Sequence, residues 1–81
     1  MNNKKIILNL LQSLHPEINF ENELRHFVSS GILESFDIVQ IISELETLLG
    51  IKIPGTELVP ENFESLDAIC SLATKYQGTQ S

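Results

Sequence analysis

Tryptophan is absent, cysteine occurs once, and basic residues are scarce: five Lys and Arg stand against eleven Asp and Glu, for a formal charge of −6 over 81 residues. Each shortage excludes something. A lone Cys70 makes no internal disulfide and leaves any common structural zinc set incomplete. On an apolar helix face such a cysteine reads as core rather than nucleophile. Two histidines, His15 and His26, have no second ligand at metal spacing, so no metal site is expected. A chain this acidic repels phosphate backbones and anionic membrane surfaces, so neither nucleic-acid nor membrane binding is expected. Short helices could suggest a helix-turn-helix DNA binder, but no helix here offers a basic face. Partners with basic patches are favoured instead, because complementary charge speeds encounter.

Long apolar runs are also missing. A transmembrane helix needs about twenty consecutive apolar residues, and none occurs although 42% of residues are hydrophobic. The N-terminal apolar stretch is broken by Asn9 and Gln12 and reads as a helix, not a signal peptide. A cytoplasmic, monomeric protein of one domain is the expectation. No strand pattern, repeat, glycine-rich phosphate loop or catalytic triad pattern is present, so the chain reads as non-catalytic.

What is present is helical periodicity. Ile6, Ile7, Leu10, Leu11 and Leu14 make a stripe over residues 3–14 that Pro16 ends. Residues 15–34 show no sustained period and read as a long loop pinned by Ile18, Phe20, Leu24, Phe27, Ile32 and Leu33; a loop of that length tends to be functional. A second helix is expected over 35–49, stopped by Gly50. Ile51 to Pro54 read as an extended exit and Gly55-Thr56 as a turn. Pro60 suits the first position of a short helix over 60–63. Ser65 can cap a last helix over 66–76, with Leu66, Ile69, Cys70, Ala73 and Tyr76 on one face. Residues 1–77 then form an all-α domain, a small bundle of three main helices plus one short helix, and 78–81 a tail.

Set about 100° apart around an axis, the second helix divides. Ile38, Ile41, Ile42, Leu45, Leu48 and Leu49 share a core side. Gln40, Ser43 and Thr47 lie opposite, flanked by Asp37, Glu44 and Glu46. Phe36 and Val39 fall on the polar side. They either tuck under the long loop or form a docking patch with an acidic flank, and the patch is the favoured reading. Ser35 opens this helix, where unpaired N–H groups and the helix dipole favour an anion. Serine is equally a common plain N-cap, so its position alone decides nothing.

The stretch Gly31-Ile32-Leu33-Glu34-Ser35-Phe36-Asp37-Ile38-Val39 resembles the carrier-protein attachment motif G-x-x-D-S-L-D-x-V. The similarity continues through Leu45-Glu46, Gly50-Ile51-x-Ile53-Pro54 and Ser65-Leu66-Asp67-Ala68-Ile69. The serine motif alone is weak; the ordered set is specific. It resembles the family of acyl, peptidyl and D-alanyl carrier proteins. That resemblance implies that Ser35, rather than Ser29 or Ser30, takes a 4′-phosphopantetheine arm from coenzyme A through a phosphopantetheinyl transferase. The arm would carry a thioester for an acyl- or aminoacyl-adenylating ligase and for acyl-transferring enzymes. It also implies a recognition face on the helix after the serine: Glu34, Phe36, Asp37, Val39, Gln40, Ser43, Glu44 and Glu46. Gln40, Thr47 and Gly55-Thr56 stand where fatty-acid carriers tend to be acidic, and residues 57–63 look closer to the D-alanyl branch. A specialised aminoacyl or acyl carrier is therefore expected. A general fatty-acid-synthesis carrier and an unmodified carrier-fold binding module are the alternatives.

Overall fold

The apolar stripe of residues 38–45 has to be covered, and three other parts of the chain cover it. The computed structural model describes residues 3–20 and 25–78. It contains α1 (Asn3–Leu14), α2 (Ser35–Leu49) and α3 (Leu66–Gly78), with two 3-10 turns, Gly55–Glu57 and Pro60–Phe63, between α2 and α3. No strand occurs among the described residues. The protein is all-α, but the segment at 60–63 is a single 3-10 turn rather than a fourth α-helix, and Gly55–Glu57 forms a second such turn. Four residues that start on a proline are too few to close a run of α-type hydrogen bonds.

Helix α1 packs mainly on α3 and also on α2. It buries Ile7, Leu10 and Leu11. From α2 come Ile38, Ile41, Ile42 and Leu45, and from α3 come Leu66, Ile69, Leu72 and Ala73. Leu48 departs from the expected core side: it is 53% exposed, and Leu49 is half-buried. The chain has turned away by then. Gly50 adopts the left-handed region (φ 64°, ψ 37°), and its N–H and that of Ile51 both close on the Glu46 carbonyl. Glu46 also accepts the Ile53 N–H at 2.9 Å. This exit sends Ile51 and Ile53 into the core where the last turn of α2 would otherwise reach. Leu72 joins the buried face of α3, while Cys70 and Tyr76 are only half-buried.

The long loop carries much of the interior. Phe20, Phe27 and Leu33 are buried, and the two rings meet edge to face with centroids 5.6 Å apart. Leu24, expected among the pinning residues, lies outside the described residues. Ser65 caps α3 as expected, its hydroxyl accepting the Ala68 N–H at 3.0 Å. Helix α3 runs past the expected residue 76 to Gly78. Asn3 of α1 donates to Thr74 Oγ1 and Gln77 Oε1, which holds the last turn. The remainder of the expected tail, 79–81, is outside the described residues.

The split between Leu45 and Leu48 is testable. Leu45→Ala should cost about 2–5 kcal/mol in urea unfolding through the cavity it leaves. Leu48→Ala should stay within about 0.5 kcal/mol.

Candidate functional site

Four local arrangements bring Ser35 to the surface at a helix start. The first is the closure of residues 27–33. The Leu33 N–H bonds the Phe27 carbonyl at 2.8 Å, and Gly31 supplies the positive φ (85°) that the turn between them needs. The second is Glu64, just ahead of α3. Its carbonyl accepts the Phe27 N–H at 2.9 Å, and its Oε1 accepts the N–H groups of Val28 and Ser29, both at 3.1 Å, and the Ser29 hydroxyl. These bonds, led by that of the Ser29 N–H and outweighing partial burial, hold the Glu64 carboxyl below its ordinary pKa of 4.5. The third is Gln12 of α1, which donates to the Ile18 carbonyl and accepts from the Phe20 N–H. Satisfying backbone groups in this way is what allows a loop to sit against a core.

The fourth is the cap of α2. Glu34, not Ser35, is the N-cap, with extended backbone (φ −107°, ψ 173°). Glu34 and Asp37 form a reciprocal capping box, in which Asp37 Oδ2 accepts the Glu34 N–H at 3.0 Å. The plain N-cap reading of Ser35 is therefore wrong. Ser35 is the first helical residue, exposed, and its hydroxyl is left uncommitted by the cap. An anionic group on that oxygen would meet the positive end of α2. The residues present thus fit a phosphate ester at Ser35.

The expected recognition face divides in two. Glu34, Phe36, Val39, Gln40, Ser43 and Glu44 are exposed. Phe36 is 69% and Val39 55% exposed, so neither tucks under the loop. Asp37 and Glu46 are half-buried and engaged within the molecule, Asp37 at the cap and Glu46 at the Ile53 N–H. On the far side, Glu57 receives the Lys75 ammonium at 2.7 Å and the Tyr76 hydroxyl, tying the first 3-10 turn to α3. The partners of Glu57 and Glu64 lie far along the chain, and those of Gln12 lie in an aperiodic loop, so none of the three contacts is legible in the sequence. Ser29 and Ser30 are exposed within the pinned loop, and His26, outside any helix, takes positive φ (60°).

A small helical fold that offers a solvent-open serine hydroxyl at the first turn of its second helix has the build of a carrier protein. Relatives put that class into a family. No family model matches the chain, and no solved structure does. The chain is 32% identical over 71 residues to the D-alanyl carrier protein of Streptococcus suis strain 98HAH33, covering 88% of this chain and 90% of that one. It is 34% identical over 62 residues to D-alanyl carrier protein 2 of Lactiplantibacillus plantarum, covering 76% and 78%. With S. suis strain 05ZYH33 the identity is 31% over 71 residues. The chain belongs to the D-alanyl carrier protein family.

Glu64 gives a pH-dependent prediction. Its folded pKa is depressed, so its contribution is complete above the unfolded value near 4.5 and is lost as pH falls through the lower folded value. Glu64→Gln should melt below wild type at pH 7. The two melting temperatures should converge as the pH drops below about 4.5.

Proposed function

We propose that this protein is a stand-alone aminoacyl carrier in which Ser35 holds 4′-phosphopantetheine. The observation that carries the reading is the exposed, uncommitted Ser35 hydroxyl one residue after the N-cap of α2, in a chain whose relatives are D-alanyl carrier proteins. The bound arm supplies a terminal thiol on which cargo rides as a thioester. The protein is a non-catalytic shuttle for other enzymes. Its own residues do three things. The Ser35 oxygen is open to a phosphopantetheinyl transferase. The positive end of α2 stabilises the phosphodiester charge. Phe36 and Val39, beside Glu34 and Glu44, offer a partner an apolar contact with an acidic rim.

The names of the relatives favour an aminoacyl cargo, loaded by an adenylating ligase, over fatty-acid intermediates. A partner suited to this face has an apolar pocket bordered by Lys or Arg. Asp37 and Glu46 contribute through the shape of α2 rather than by direct contact, since both carboxylates are engaged internally. The carrier domain runs to the end of α3 at Gly78, one residue past the expected 1–77, and acts as a monomer in the cytoplasm, where coenzyme A and activated amino acids are made.

Incubation with coenzyme A, magnesium and a broad-specificity phosphopantetheinyl transferase should add one phosphopantetheine by mass spectrometry. Ser35→Ala should show no gain, and an unmodified wild type with several transferases defeats the proposal. Phe36→Asp and Val39→Asp should keep their helical circular dichroism. Each should lower ligase-catalysed loading of the modified protein by about tenfold, as loss of a central apolar contact does.

A further inference from the structure

Directly behind the first turn of α2 sits a histidine with a carboxylate at each ring nitrogen. His15 follows α1, its N–H closing on the Leu11 carbonyl at 3.0 Å. Its side chain is 23% exposed. Nδ1 is hydrogen-bonded to Glu17 Oε2 at 3.2 Å, and Nε2 lies 3.1 Å from Asp37 Oδ2 as a charge contact outside hydrogen-bond geometry. A neutral imidazole has one donor and one acceptor nitrogen, whereas two carboxylates call for two donors. The imidazolium alone sets positive charge against both carboxylates. Burial works against that charge, but Asp37 on α2 and Glu17 in the loop outweigh it and hold the pKa above 6.5.

The two carboxylates are not equally free. Glu17 is 65% exposed and can turn toward water. Asp37 is 18% exposed, and the oxygen that faces His15 also accepts the Glu34 N–H of the capping box. Loss of either ring proton therefore removes the positive charge facing Asp37, a carboxylate that cannot move without opening the cap.

We infer that His15 is a positioning residue for the attachment segment: as imidazolium it ties the end of α1 to the capping box of α2 and neutralises Asp37, two residues from Ser35. The order of that turn, and its tolerance of an anionic group on Ser35, then follow the protonation of His15. The second half of this statement rests on the proposed function; the first half does not.

The sign follows from the raised value. The clamp is complete below about pH 6.5 and is lost as pH rises through the higher folded pKa. The influence is reciprocal, so a phosphodiester on Ser35 must in turn favour the imidazolium.

NMR titration of the His15 ring, with amide exchange of residues 36–38 corrected for its intrinsic pH dependence, tests the clamp. Protection should fall roughly two- to fivefold across the ring titration, the range of a part-exposed ion pair. The step should be absent in His15→Gln and Asp37→Asn, and Asp37→Asn should lower the ring midpoint. Asparagine can still accept the Glu34 N–H, so that variant removes charge and leaves the cap acceptor. Flat protection across the titration, or an unchanged midpoint in Asp37→Asn, overturns the clamp. In protein carrying phosphopantetheine the midpoint should rise by about 0.3 pH unit, as a single charge acting through largely aqueous surroundings requires. An equal midpoint in the two forms overturns the neutralising role. Failure of Ser35 to accept the group is a failure of the proposed function and leaves the titration of unmodified protein to decide the clamp.

Discussion

A loop that lies against a core must find partners for its backbone polar groups, and much of this protein's design follows from how residues 15–20 and 25–34 meet that demand. Phe20, Phe27 and Leu33 supply the burial. Burial alone would strand the amides beside them. Gln12 from α1 and Glu64 from the segment before α3 take up those amides. One medium-range anchor and one long-range anchor therefore convert an aperiodic stretch into a fixed approach to α2. Without them the hydrophobic anchors would hold the loop only loosely, and the position of Ser35 would be correspondingly vague.

The start of α2 shows a division of labour that suits a modified serine. A helix that begins with Ser-Phe-Asp could have used the serine hydroxyl as its cap. The capping box instead occupies the residues on either side, Glu34 and Asp37, and leaves the hydroxyl to solvent. The same choice places two acidic residues beside Ser35, which would oppose the anionic group proposed there. The positive end of the helix offsets part of that opposition. His15, 3.1 Å from Asp37, stands where its cationic form would offset a further part. Phe36 and Val39 remain as apolar side chains on an outer face, where they stabilise nothing within the monomer. Under the proposed function they are the contact area for a partner.

Legibility varied by the range of the interaction involved. The helices of residues 3–14 and 35–49 could be read because apolar side chains recur at helical spacing and because Pro16 and Gly50 punctuate them, all within a few residues. The Ser65 cap and the αL glycine are equally local. Leu48 was misplaced because a helical wheel assumes that the partner surface extends to the end of the helix. Here Ile51 and Ile53 fold back and take its place. The 60–63 segment was read as a helix because Pro60 begins it well, while its length permitted only one 3-10 turn.

The site followed the same rule. Sequence alone determined which serine stands at a helix start, which flank is acidic and which two apolar residues face outward, since each depends on spacing along one helix. It also carried the family likeness, which rests on the order of local motifs. Tertiary structure alone decided that Glu34 caps α2 in place of Ser35, that Asp37 and Glu46 serve the fold, and that Glu64, Gln12 and His15 shape the approach to the serine. The capping box spans only three residues, but both Glu34 and Ser35 could have capped the helix; the Glu64 contacts join residues as far apart as 28 and 64, whose proximity exists only once the core has brought the segments together.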